Sequence, residues 1–251
     1  MIEITVKDLN NLQQIIKIIE DNKINHISIT NKSKDFTSLD VAKVIRNSFK
    51  GNLKISCNYS IQMNLKKDLD LQIQDLTNFL ESSQKFSIED ILVVSGNQTK
   101  YLTHQTIKYI SNKFSISVAF NPFYINYKDQ EFEKYKLLKK IENNNIKKIY
   151  LQLGEDLDLL TKGIEYIKSL NNKITIIGSI LVPNNIILNK LKFRKWRGVF
   201  YSKDYLDNLE VATENSKKQV KILKSLGCEI LQVIYPIKYI KNEDIIFNEI
   251  N

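Results

Sequence analysis

The sequence predicts an α/β fold, a single (β/α)8 TIM barrel, because eight short β-branched runs alternate with longer amphipathic stretches along its 251 residues. Most of the runs are near-continuously apolar, as parallel strands covered by helices require. The length is that of one such barrel, about 250 residues. No linker or shift in composition marks a boundary, so residues 1–251 are expected to form one domain. An open doubly wound sheet is the alternative arrangement for the same alternation.

The elements follow in order. Residues 2–6 (IEITV) read as the first strand, and Leu9, Leu12, Ile15, Ile16 and Ile19 then fall at helical spacing. Residues 26–30 (HISIT) form a second strand, followed by a helix near 38–49 with Ser38 as its expected N-cap and Gly51 beyond its end. Strand three is 53–59, with a helix at 69–83; strand four is 90–95, with a helix at 103–113. Strand five, 115–120, ends at Asn121-Pro122, and a helix over 128–145 is expected to line up Phe132, Tyr135, Leu138 and Ile141 on one side. Strand six is 147–153, with a helix at 157–170. Strand seven, 173–181, leads to a short helix near 184–191, an irregular stretch at 193–202 and a helix at 207–226 stopped by Gly227. Strand eight is 229–235.

Composition narrows the function. Only two cysteines and two histidines are present, so the usual His/Cys zinc set is absent, and Cys57 and Cys228 read as free thiols. No stretch approaches the roughly 20 apolar residues of a membrane span. The opening MIEITVKDLN lacks the basic and apolar regions of a secretion signal, so the cytoplasm is the expected compartment. The net charge of +9 comes from lysines spread along the chain, with RKWR at 194–197 the densest cluster. No nucleic-acid-reading motif accompanies them, which favours a solvated surface or attraction of an anionic ligand over nucleic acid.

Chemistry in such barrels sits at the C-terminal ends of the strands. There the sequence places Thr30-Asn31-Lys32, Cys57-Asn58-Tyr59-Ser60, Ser95-Gly96-Asn97, Ala119-Phe120-Asn121-Pro122 and Gln152. These are hydrogen-bonding side chains with one glycine, suited to a small polar organic ligand. Nucleophile elbows, Walker loops, dinucleotide fingerprints and zinc-protease motifs are missing. Glu155-Asp156 precedes the sixth helix, where acidic residues favourably meet the helix dipole. His26 stands at the N-terminal end of strand two, the stability face, and His104 opens the fourth helix.

HISIT (26–30), KISCNYS (54–60), DILVVSGN (90–97), SISVAFNP (115–122), a lysine-rich helix and IYLQL (149–153) together resemble the barrel of methylenetetrahydrofolate reductases over roughly residues 1–235. The resemblance implies FAD as cofactor, NAD(P)H as electron donor and a folate as substrate. By position, Thr30 corresponds to a threonine facing the flavin, Asn58 to a strand-three histidine and Gly96 to the glycine of the strand-four motif. Phe120 corresponds to an aromatic residue packed near the flavin. Glu133 and Lys140 correspond to groups meeting its ribityl and phosphate parts, Gln152 to a glutamine that binds the pterin, and Glu3 to a general acid. Ser95 and Asn97 stand where the family has Arg and Asp, and Phe120-Asn121-Pro122 replaces Tyr-Pro-Glu.

The reaction implied is reduction of methylenetetrahydrofolate to methyltetrahydrofolate, with the chemistry carried by the flavin and the protein supplying position and protonation. The alternative is a flavin-free or non-catalytic barrel that binds a folate or another small anion, as a partner in a complex. Neither a nucleic-acid nor a membrane partner is implied, and a homo-oligomer is left open.

Overall fold

The computed structural model describes residues 1–236 except 7, 32, 97–99, 111 and 143–145, and for Asn31 the backbone alone. Eight strands close into a barrel in sequence order: β1 (Ile2–Val6), β2 (His26–Asn31), β3 (Lys54–Ser60), β4 (Asp90–Val94), β5 (Ile116–Phe120), β6 (Ile146–Leu151), β7 (Thr175–Leu181) and β8 (Glu229–Val233). The pairs β1–β2, β2–β3, β3–β4, β4–β5 and β7–β8 are parallel. The helices are α1 (Leu12–Asp21), α2 (Ser38–Ser48), α3 (Leu69–Lys85), α4 (Thr103–Ile107), α5 (Tyr127–Ile141), α6 (Leu157–Leu170), α7 (Asn185–Phe193), α8 (Lys203–Asp207) and α9 (Leu209–Ser225). No helix among the described residues is long and apolar enough to cross a membrane.

The chain divides into two compact units. The first holds Met1–Ala119 and Tyr135–Lys148; the second holds Phe120–Lys134 and the chain from Ile149 on. In the first, the helix layer is sealed by Ile4, Ile27, Ile29, Ile55, Cys57, Tyr59, Val93 and Val118, all fully buried. Tyr59 donates to Asp75 at 2.7 Å and accepts from Gln72 at 2.7 Å, which pins β3 to α3. In the second unit, Leu153, Leu181, Ile187, Leu188, Leu191, Tyr205, Leu206, Ala212 and Val233 form one cluster. Gly178 lets α9 approach β7, since a Cβ there would lie 2.3 Å from Leu223.

Several elements differ from expectation for identifiable reasons. The N-cap of α2 is Thr37, which forms a capping box with Asp40; Ser38 is buried and donates to the Asn58 carbonyl at 2.7 Å. Helix α4 stops at Ile107, five residues after it starts, in a stretch whose Thr and Ile residues propagate helix weakly. The helix expected at 207–226 is α9, and the unexpected short α8 precedes it; the extended backbone of Asn208 ends α8 and its side chain caps α9. Asp156 is the N-cap of α6, accepting from Leu159 N–H at 2.8 Å.

Helix α5 turns its row of aromatic residues outward and buries two charged ones. Phe132 is 53% exposed and Tyr135 50%, while Glu133 and Lys140 are buried at 6% and 7%. In the second unit Glu133 accepts from the Asn121 backbone N–H. In the first, Lys140 Nζ donates to the Ala119 carbonyl at 2.6 Å. Backbone groups at a strand end need polar partners once buried, and that need overrides the apolar period.

Candidate functional site

Within the first unit, alternation along the strands separates two faces. Cys57 Sγ lies 3.7 Å from the Ser38 carbonyl on α2, and Tyr59 reaches α3, so these side chains point to the helices. Ser56, Asn58 and Ser60 therefore point into the barrel. The parallel register carries this face across neighbouring strands. Glu3, Ser28, Ser56 and Asp90 form one row, and above it come Thr5, Thr30, Asn58 and Leu92. Barrel interiors are usually filled by Val, Ile and Leu. This one is lined largely by carboxylates, hydroxyls and an amide.

Their hydrogen bonds are incomplete. Asn58 Nδ2 donates to Thr30 Oγ1 at 2.6 Å, and Ser117 Oγ donates to Asp90 at 2.5 Å. His26 Nε2 lies 3.1 Å from Ser56 Oγ. Asn58 Oδ1 and Ser28 Oγ are buried with no partner among the described residues. A buried acceptor left unmade costs about 1–3 kcal/mol, so such an atom marks a place for a ligand or water. Thr5, Thr30, Asn58, Ser60, Val94 and Ala119 are only half-buried, whereas the outward residues beside them are sealed. The barrel interior is thus open toward the C-terminal ends of these strands.

The predicted residues fall as follows. Thr30 and Asn58 are brought into direct contact. Glu3 is half-buried on the same face, one row below Thr5 and paired in register with Ser28. Gly96 has φ +86°, and a Cβ there would lie 2.4 Å from Gln62 Oε1, so the glycine makes room for Gln62. Ser95 Oγ accepts from Thr103 N–H at 2.7 Å. Asn97 lies outside the described residues. In the second unit, Phe120 is buried against Tyr166 of α6, ring centroids 6.2 Å apart. Gln152 is half-buried just past β6; its N–H donates to the Phe120 carbonyl, and its Oε1 accepts from Leu153 N–H at 2.9 Å. Sequence reasoning missed Ser28, Ser56, Asp90 and Ser117. The signal for Ser28, Ser56 and Ser117 was present as polar residues alternating with apolar ones in HISIT, KISCNYS and SISVA, and Asp90 opens the apolar run DILVV.

Burial and neighbouring charge tune several groups. Burial, then the amino terminus, Lys148 and Lys54, hold His26 down to about 4, with Asp90 opposing them. Burial and then Lys140, Lys136 and Lys139 lower His104, whose Nδ1 has no partner among the described residues. Burial pushes the Cys57 thiol up to about 12, which leaves it an inert core thiol. Between pH 6.5 and 4 the unfolded chain binds a proton at His26 that the native state does not. Stability is therefore complete above that window and falls as the pH drops through it. We expect His26→Gln to flatten the melting temperature against pH in this range by the equivalent of roughly 1 kcal/mol, the half-open ring being screened by solvent. An unchanged acid slope would show that His26 is not the group responsible.

No family model matches the chain, and no curated protein matches it. Among solved structures, a protein from Clostridium thermocellum, described as uncharacterized and binding two copies of 5-methyl-5,6,7,8-tetrahydrofolic acid, superposes with a TM-score of 0.65 at 14% identity. The alignment covers 98% of this chain and 93% of that one. The coenzyme F420-dependent tetrahydromethanopterin reductase of Methanopyrus kandleri gives 0.48 at 9% identity over 97% of this chain and 95% of that one. L-ribulose 3-epimerase gives 0.48 at 11% over 93% and 81%. The likeness to the Clostridium thermocellum protein is one of fold, and the fold of this chain is the (β/α)8 barrel.

Proposed function

We propose that this barrel binds a reduced folate at the C-terminal ends of its strands and acts on it in the manner of a methylenetetrahydrofolate reductase. The observation that carries the reading is the open polar row of the first unit, with Asn58 Oδ1 buried and uncapped beside Thr30. A ring N–H of a pterin or flavin is the donor that this acceptor lacks. The whole-length likeness to a barrel that binds 5-methyltetrahydrofolate supports the folate class.

Roles follow from position. Thr30 and Asn58 hold the ring system by its polar edge. Glu3, one row below and next in register to Ser28, takes the role of general acid that the resemblance gives it. In the second unit, Gln152 is the residue that the resemblance assigns to the pterin. A bound flavin would supply hydride transfer from NAD(P)H. Lys140 and Glu133 keep the backbone ends of β5 in place while any ligand is bound.

A flavin-free folate-binding barrel is the second reading, and Ser95 and Gly96 favour it. Ser95 is engaged with Thr103 and Gly96 is shaped around Gln62, so both are explained without a cofactor. One measurement separates the two. The purified protein is expected to bind 5-methyltetrahydrofolate and to show the yellow absorbance of oxidised flavin. Folate binding by a colourless protein that does not take up added FAD selects the second reading, and no folate binding rejects both.

A further inference from the structure

The densest basic cluster of the chain, Arg194-Lys195-Trp196-Arg197, lies in the stretch between α7 and α8 and has no part in the proposed chemistry. Within the second unit this stretch is fastened to the C-terminal ends of two strands. Asn121, the residue after β5, donates from Nδ2 to the Gly198 carbonyl at 2.8 Å. Gly154, three residues past β6, forms a parallel bridge with Phe200. Tyr124 meets the Phe200 ring edge-on at 5.7 Å. Gly198, at φ +76°, closes the turn in which Val199 N–H donates to the Trp196 carbonyl.

Trp196 packs against the cluster that contains Leu153 and Leu181. With that side chain turned inward, Arg194, Lys195 and Arg197 are exposed around it. Glu155 accepts from Ser202 N–H at 2.7 Å, and Asp207 pairs with Lys192 at 2.8 Å. Phe193, just before the cluster, is 89% exposed. The segment is thus held at Gly154, two residues beyond Gln152, and at Asn121, so its positive charge is carried on the chain ends after β5 and β6.

We propose that the 194–197 segment is a cationic rim that receives the anionic tail of the ligand whose ring is read by Gln152. The inference rests on the reading of Gln152 as a ligand contact. Carboxylates and phosphates share the required chemistry, so the tail is either the glutamate end of a folate or the pyrophosphate of a flavin dinucleotide. The electrostatic part is exposed and falls with salt.

The test compares the wild type with the double variant Arg194→Ala/Lys195→Ala. Both positions are exposed, so the fold is retained. Each protein is titrated with a tail-free tetrahydropterin, with 5-methyltetrahydrofolate bearing one and three glutamates, and with riboflavin and FAD. Affinity of the wild type is expected to rise with tail charge. The double variant should lose about fivefold on the charged ligands and nothing on the tail-free ones, as two exposed ion contacts allow, and raised salt should erase the difference. Loss confined to the glutamate series identifies the folate tail, and loss confined to FAD identifies the pyrophosphate; both support the rim. Equal affinities of the two proteins for every charged ligand overturn it while leaving the folate reading intact. Failure of the wild type to bind any of the ring ligands overturns both.

Discussion

Gln152→Leu is expected to weaken binding of 5-methyltetrahydrofolate by roughly tenfold or more while the protein remains folded. A buried amide that meets a donor and an acceptor on one ring edge contributes on the order of 1–3 kcal/mol, and about 1.4 kcal/mol is a factor of ten. The side chain is half-buried just past β6, alternating with the buried Leu151 and Leu153. Its Oε1 already accepts from Leu153 N–H at 2.9 Å, so the substitution also removes a local bond worth about 1 kcal/mol. Isothermal titration with the folate and a thermal melt separate the two effects. A variant that binds folate like the wild type but melts lower would make Gln152 a cap for the end of β6 and nothing more.

Lys140→Ala is expected to destabilise the protein by about 2 kcal/mol, the cost of removing a charged donor from a buried carbonyl. In a chain of this size that lowers the melting temperature by roughly 4–8 °C. The family resemblance assigns this lysine to a cofactor phosphate, whereas its Nζ lies 2.6 Å from the Ala119 carbonyl with the side chain 7% exposed. Lys140→Met keeps the aliphatic stem and isolates the loss of the ammonium. Denaturant melts of both variants, with FAD titrations alongside, give the answer. Normal stability with weakened FAD affinity would return the lysine to the cofactor and contradict the structural role.

Much of the fold was legible because its causes are local. Apolar β-branched runs and amphipathic stretches alternate in the sequence, and each run became a strand in the expected order. Asp156 before α6 acted as an acidic residue at a helix start should. Thr30 and Asn58, singled out as strand-end polar residues, lie in hydrogen-bond contact.

Other features depended on what the chain meets after folding. Thr37 and Ser38 are both competent caps; only the proximity of the Asn58 carbonyl drew Ser38 inward and left the cap to Thr37. On α5 the apolar spacing placed Phe132 and Tyr135 on one side, and that side is exposed. The strand-end backbone at Ala119 and Asn121 recruited Lys140 and Glu133 instead, because a buried carbonyl or N–H is costlier to leave unpaired than an aromatic ring is to expose. The 194–197 cluster looked like surface charge in the sequence. Asn121 and Gly154, distant in the chain, fixed it at the ends of β5 and β6. By itself the sequence determined the strands, their order and the polar character of the barrel lining. Which polar group finds a partner, and which stays uncapped for a ligand, was decided only by tertiary structure, since hydrogen bonds depend on distances that no local pattern encodes.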